Sequence, residues 1–246
     1  MKAVILAAGL GTRLQPYTFF IPKPMLPLGN KPLLEHIIDW LRSEGNSKAS
    51  TKNNHNSKIS EVIICVSYLH RTIEDYFEDG SRFGIKIQYA RSDRPLATAG
   101  QLKTAKQYLD EPFICVYGDS IYEFSLSKMI NAHMKSNAFI TMGLLSYETK
   151  LKYGFIDTNK NLQVVSWNEK PIIRGLINIG CYIINPQFVD SIPDKNTFGM
   201  DDAVRIAIKQ KKLVKGFKIN SGFIDIGDKK SYLETYKKYV DKLGEI

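Results

Sequence analysis

Two glycines and two cations near the start of the chain carry the first chemistry. Ala8-Gly9-Leu10-Gly11-Thr12-Arg13 follows directly on the short apolar run at 3–6. Glycine lets backbone N–H groups turn toward a ligand and lets that ligand approach closely. Arg13 adds a fixed positive charge with paired donors, suited to gripping phosphate oxygens two at a time. Ten residues on, Lys23 stands between Pro22 and Pro24, which restrict the backbone and hold the ammonium in place. A strand tip, a glycine loop and two held cations point to a nucleoside triphosphate site. The loop is not a Walker A sequence, because no Gly-Lys-Ser/Thr follows it. It is not the dinucleotide fingerprint either, since Gly9-Leu10-Gly11 lacks the third glycine.

Two carboxylates have surroundings of a similar kind. Asp119 follows the apolar run 113–117 and Gly118, and Asp225 lies in Gly222-Phe223-Ile224-Asp225-Ile226-Gly227. A carboxylate at the end of a buried strand beside glycine serves either as a turn or cap residue or as a ligand for a divalent cation. Two such groups converging on a triphosphate suffice for Mg²⁺, which keeps one or two carboxylates and takes phosphate oxygens for the rest. Glu169-Lys170 is an exposed ion pair of little energetic weight, or a set of charge-assisted contacts if it lines a cleft. His36, His55, His70 and His133 show no ligand spacing. Cys65, Cys115 and Cys181 each sit in an apolar run, as expected of buried reduced thiols in a cytoplasmic protein.

These residues need a frame. Strands are expected at 3–6, 62–66, 85–89, 113–117 and 139–145, with amphipathic helices at 33–44, 72–77, 98–109 and 126–135 between them. That alternation predicts an α/β fold, a Rossmann-like, mainly parallel sheet with helices on both faces. Ligands then gather at the carboxyl ends of the strands, where 8–13 lies. Beyond 153 the pattern changes to shorter strands at 154–157, 162–167 and 177–185, then helices at 201–211 and after Asp228. The segment 45–60 has almost nothing to bury and reads as a mobile inserted loop.

At 246 residues the chain suits one sizeable α/β domain or two small ones, and 43% hydrophobic with 24% charged residues is ordinary for a soluble globular protein. No apolar run approaches membrane-spanning length. Lys2 and six apolar residues before Gly9 are too few for a signal peptide. The net charge of +9 is spread over scattered lysines without a basic run interleaved with aromatics. It is read as a solvated surface attracting anionic substrates and not as a nucleic-acid footprint.

The string from Leu6 to Leu14, with Pro22-Lys23-Pro24-Met25-Leu26-Pro27, closely resembles the signature of sugar-1-phosphate nucleotidylyltransferases. Further segments follow in the family's order. Gly118-Asp119 and Asp225-Ile226-Gly227 resemble its two metal-carboxylate motifs. Thr98-Ala99-Gly100 resembles its Leu-Gly-Thr-Ala-Gly segment, with Ala97 standing where the family has its first glycine. Tyr153-Gly154, Glu169-Lys170-Pro171 and Asn178-Ile179-Gly180 resemble its sugar-holding motifs. The resemblance implies condensation of an NTP with a sugar 1-phosphate, with Mg²⁺ on Asp119 and Asp225. It makes Arg13 and Lys23 the catalytic cations and gives the nucleotide to Leu6, Ala8, Gly9, Gly11, Thr12, Thr98 and Gly100. The sugar phosphate falls to Gly154, Glu169, Lys170 and Asn178. It further implies one domain over 1–246, with a nucleotide-binding half at about 1–145 and a sugar-binding half at about 146–246, the latter a smaller mixed-β lobe grafted onto the sheet and not a separate folding unit. Ser92 stands where UTP- or dTTP-using relatives carry glutamine, which leans toward guanine first and cytosine second. A mannose- or heptose-1-phosphate guanylyltransferase is therefore favoured over a uridylyl- or thymidylyltransferase acting on glucose 1-phosphate. A non-catalytic regulatory subunit would be expected to lack one of Arg13, Lys23, Asp119 or Asp225, and all four are present. Members of the family often form homo-oligomers.

Overall fold

The computed structural model describes residues 1–45, 59–194 and 197–244. In chain order the first half runs β1 (Lys2–Leu6), β2 (Pro27–Leu28), β3 (Lys31–Pro32), α1 (Leu33–Gly45), β4 (Glu61–Val66), α2 (His70–Phe77), β5 (Lys86–Arg91), α3 (Thr98–Thr104), β6 (Phe113–Tyr117), β7 (Ser120–Tyr122) and α4 (Leu126–Ser136). The second half runs β8 (Ile140–Lys150), β9 (Phe155–Thr158), β10 (Val164–Asn168), β11 (Ile172–Ile184), α5 (Gln187–Asp190), α6 (Met200–Lys209), β12 (Val214–Ile219), β13 (Phe223–Asp225) and α7 (Lys229–Gly244). Most of the expected insertion at 45–60 lies outside the described residues.

A seven-stranded sheet forms the middle layer in the order β12-β8-β11-β6-β1-β4-β5. β1 pairs in parallel with β4 and β6, β4 with β5, and β12 with β8, while β11 runs antiparallel to β6 and β8. The expected mainly parallel α/β sheet is thus the observed one, and it takes strands from both halves of the chain. Successive residues of a strand face opposite sides. Ile5, Ile64 and Val116 accordingly pack on one face with α1 and α4, and Val4, Ile63 and Cys115 pack on the other with α3 and α6. Burial on both faces is why these strands read as unbroken apolar runs. Leu33, Leu34, Ile37, Ile38 and Leu41 fill the buried stripe of α1, the spacing of a helix with one face on a core. The three cysteines are buried and unpaired, and burial pushes the Cys65 thiol up to about 12, so it stays protonated. No helix among the described residues is long and apolar enough to cross a membrane.

The structure departs from expectation at element ends. The helix expected over 98–109 stops at Thr104, whose hydroxyl donates to the Gln101 carbonyl at 2.7 Å and competes with helical pairing. A separate turn of 3-10 helix follows at Lys106–Tyr108. β8 and β11 run past the sheet as a ribbon pairing Lys150 with Ile172, five residues beyond the expected ends on each strand, 145 and 177. β12 was not expected, because Lys215 and Lys218 break its apolar run; lysines on an edge strand discourage pairing with another chain.

His133 on α4 is 2% exposed and hydrogen-bonds Thr141 of β8 at 2.9 Å. Burial lowers its pKa below the ordinary histidine value, so the folded protein binds fewer protons there than the unfolded chain. Its contribution is complete above about pH 6.5 and is lost as pH falls toward the folded value. Thermal melts between pH 7.5 and 5.0 should therefore show a falling midpoint, with a smaller fall in His133→Asn. An equal fall in both proteins would remove His133 from the acid response.

Candidate active site

The glycine loop leaves the sheet where β1 loses its neighbours. The Ala7 N–H donates to the Cys65 carbonyl at 3.0 Å and the Gly118 N–H to the Leu6 carbonyl at 2.9 Å, so the loop starts flanked by β4 and β6. Gly11 then turns the chain at φ 63°, in the left-handed region. Its carbonyl accepts from the Leu14 N–H and from the Thr18 hydroxyl, both at 2.9 Å, which closes the turn that carries Arg13. The 3-10 turn Lys23–Met25 fixes the second cation. Its Met25 N–H donates to the Pro22 carbonyl at 2.7 Å, and Leu14 and Leu26 anchor the segment in the core below.

Lys23 is 6% exposed, and its ammonium donates to Asp119 Oδ2 at 2.7 Å. Asp119 follows β6 and Gly118 at the carboxyl edge of the sheet. In the β7–β13 ladder Asp225 stands opposite Ser120, which brings the second carboxylate beside the first. Partial desolvation, and then the Asp119 charge, push the Asp225 carboxyl above its ordinary value against the pull of Lys23 and Arg13. The Asp225 carboxylate has no hydrogen bond or ion pair of its own among the described residues. The Arg13 guanidinium reaches the same place, with Nη1 3.5 Å from where a Cβ on Gly227 would lie. Four charged groups expected from the sequence are therefore together in space.

Three of them, Arg13, Lys23 and Asp119, line a cavity of about 230 Å³, and Asp225 stands beside it, next to Asp119 and two residues before Gly227 of the wall. Its wall also carries uncharged side chains, Leu6, Thr98, Gln101 and Tyr117, together with the glycines Gly9, Gly11, Gly118 and Gly227. Two of the expected nucleotide residues do not line it. The Ala8 N–H is taken by Gln101 Oε1 at 3.1 Å, and the Gly100 N–H by the Phe198 carbonyl at 3.0 Å, so both hold α3 and its neighbours in place.

Asn178, Gly154, Glu169 and Lys170 do not line the cavity either. Between Asn178 and Tyr182 the register of β11 on β8 shifts, and Gly180 sits there at φ 69°. A Cβ on Gly180 would stand 2.5 Å from the Tyr117 ring, so both the bulge and the ring contact require glycine. Asn178 Oδ1 accepts from the Gly180 N–H at 3.1 Å and its Nδ2 donates to the Tyr182 hydroxyl. The Tyr182 hydroxyl in turn lies 3.1 Å from that of Tyr117, on the cavity wall. Burial pushes both phenols up, so both remain neutral hydrogen-bonding groups. Further out, the Trp167 indole N–H donates to Glu169 Oε2 at 3.0 Å, Lys170 lies 3.9 Å from Glu169 Oε1, and Gly154 packs against both Trp167 and Glu169. All of this arm is solvent-facing, with Tyr153 80% and Trp167 67% exposed.

Gln101, Tyr117 and Tyr182 were not expected as site residues. Polar groups inside apolar runs were the available signal, since a buried polar side chain is the informative exception in a core.

The family model described as nucleotidyl transferase matches residues 2–242. UTP--glucose-1-phosphate uridylyltransferase of a Synechocystis strain is 32% identical over 81% of the chain, which spans 53% of that relative's length. D-glycero-alpha-D-manno-heptose 1-phosphate guanylyltransferase of Aneurinibacillus thermoaerophilus is 33% identical over 97% of this chain and 98% of its own. The crystal structure of HddC from Yersinia pseudotuberculosis complexed with GMP-PN superposes with a TM-score of 0.72 at 27% identity, covering 97% of this chain and 99% of that one. With its mainly parallel sheet, its glycine loop and its paired strand-end carboxylates, this chain belongs to the nucleotidyl transferase family.

Proposed function

We propose that the protein condenses an NTP with a sugar 1-phosphate to give an NDP-sugar and pyrophosphate. The observation that carries this reading is the convergence of Arg13, Lys23 and Asp119 on one cavity at the carboxyl edge of the sheet, with Asp225 beside Asp119. A phosphate oxygen of the sugar 1-phosphate attacks the α-phosphorus. The new P–O bond forms as the bond to the β-phosphate oxygen breaks, and pyrophosphate departs with that oxygen and its electron pair. The attacking phosphate is already ionised, so no side chain has to remove a proton. Catalysis is then positioning plus neutralisation of negative charge. Arg13 holds the triphosphate and Lys23 the phosphates nearest the reacting centre, while Lys170 and Glu169 receive the phosphate and hydroxyls of the sugar. In this reading Gly9, Gly11 and Thr12 cradle the phosphates with backbone N–H groups.

The donor set fits Mg²⁺. Asp119 and Asp225 offer hard oxygen atoms side by side, and of the two effects that raise Asp225, desolvation first and the Asp119 charge second, a divalent cation would relieve the second. Bound there, Mg²⁺ supplies charge neutralisation at the α-phosphate. Guanine is the favoured base, supported by the heptose-1-phosphate guanylyltransferase that matches over nearly its whole length and by the HddC complex with GMP-PN. The uridylyltransferase relative carries the second reading, UTP with glucose 1-phosphate.

Pyrophosphate release from a matrix of GTP, UTP, dTTP, CTP and ATP against mannose, heptose and glucose 1-phosphates, with Mg²⁺, tests the proposal. GTP with a mannose- or heptose-type 1-phosphate should give the fastest release, and EDTA should abolish it. Release from no combination would overturn the reading.

A further inference from the structure

On the cavity wall Gln101 presents a donor group of fixed orientation. It is 7% exposed, on the buried side of α3. Its Oε1 accepts from the Ala8 N–H at 3.1 Å. A backbone N–H only donates, so the oxygen must be the atom facing Ala8 and the carboxamide has one orientation. Nε2 is thereby turned the other way. It has no partner among the described residues, yet it is absent from the fully enclosed polar atoms left without one. It therefore reaches open space, which at this residue is the cavity.

The cavity straddles the tip of β1. Ala99 and Leu102, which flank Gln101 in α3, pack on one face of the sheet, and Leu14 and Leu26, beside Arg13 and Lys23, pack on the other. Anionic groups of a ligand belong beside Arg13 and Lys23. The wall on the α3 face, with Leu6, Thr98 and Tyr117, is left for a flat, largely apolar group with polar edges.

We propose that Gln101 reads the nucleobase, donating from Nε2 to a ring carbonyl and so selecting oxo bases over their amino counterparts. This rests on the nucleotide reading above. Guanine offers O6 where adenine carries an amino donor, and uracil offers O4 where cytosine carries one. A donor facing a donor leaves two polar groups unpaired in a confined site, the arrangement that discriminates most strongly. Ala8 makes the selection rigid, because rotating the carboxamide to accept from an amino base would strip the loop N–H of its acceptor.

Calorimetric titration of the full chain with GDP, IDP, ADP, UDP, CDP and inorganic tripolyphosphate, with Mg²⁺ present, tests this. The wild type should bind GDP and IDP about tenfold or more tightly than ADP, and UDP more tightly than CDP by a similar factor. Gln101→Glu keeps an acceptor for Ala8 but removes the donor, so the oxo-to-amino ratio should collapse toward one or invert. Gln101→Met, which has no carboxamide, should also lose the ratio while keeping tripolyphosphate binding within a few-fold. A purely structural role would weaken tripolyphosphate and all bases alike and leave the ratio unchanged. No oxo preference in the wild type, or an unchanged ratio in either folded variant, would overturn the assignment. If tripolyphosphate and every nucleotide bind without preference, only the role of Gln101 fails. If nothing binds, the nucleotide reading fails with it.

Discussion

Asp119→Asn should lower pyrophosphate-releasing turnover by about a thousandfold or more while leaving the protein folded. Asparagine keeps the volume and one oxygen, so the Lys23 ammonium retains an acceptor where it now lies 2.7 Å from Oδ2. What disappears is the charge that suits this position to a hard divalent cation under the proposed function, and the loss of one preorganised charged contact at a reacting phosphate is worth about 10²–10³ in rate before any metal effect is added. Lys23 would then be a nearly enclosed cation facing a neutral partner, which destabilises by about 1–3 kcal/mol. A loss of that size lowers the melting temperature of a chain this long by roughly 2–12 °C, small enough to measure activity on folded protein. Melting curves and Mg²⁺-dependent turnover on one preparation separate the effects. Turnover within tenfold of wild type would remove Asp119 from the reacting centre.

The parts of this fold that could be read in the sequence are those whose burial is local and complete. β1, β4 and β6 are sealed on both faces, so Ala3–Leu6, Val62–Val66 and Phe113–Tyr117 announce themselves by apolarity alone. The stripe of α1 repeats with helical spacing for the same reason. The site was partly legible because glycine, proline and charge crowd into one short stretch around Arg13 and Lys23. Its assembly was not. Asp225 meets Asp119 through two three-residue strands whose partners are about a hundred residues apart in the chain, and three residues hold no usable periodicity. The Lys23–Asp119 pair spans 96 residues and leaves no local mark.

The outer arm shows a different limit of motif spacing. Asn178 was expected as a sugar ligand, but both ends of its amide are engaged within the protein, on the Gly180 N–H and the Tyr182 hydroxyl. The Asn-x-Gly spacing is what a bulge needs as well, so spacing alone does not separate a ligand from a residue shaping the strand. Through Tyr182 and Tyr117 that bulge still touches the cavity wall. Asn178 is linked to that wall by hydrogen bonds through two tyrosines that no motif marks. Ala8 and Gly100 teach a similar lesson. Both stand in motif positions, and both spend their N–H groups on holding the walls.

Lys23→Met should also lower turnover by about 10²–10³, through loss of a preorganised charge at the phosphates. Its effect on stability should differ from that of Asp119→Asn. Methionine fills a similar buried volume, and the carboxylate left behind, 38% exposed, stays hydrated. Replacing both members of an ion pair with a buried cation by neutral groups is often neutral or stabilising, whereas leaving that cation without its charged partner is not. The double variant should therefore melt near the wild type, above Asp119→Asn, while remaining as inactive as the worse single variant. Activity losses of groups acting as a unit do not add. If Lys23 and Asp119 instead served different steps, the logarithms of the two single losses would sum in the double variant. Measuring the four proteins side by side, in melting temperature and in pyrophosphate release, decides between a coupled pair and two independent contacts. Additive activity losses would rule out a shared role at the reacting phosphate.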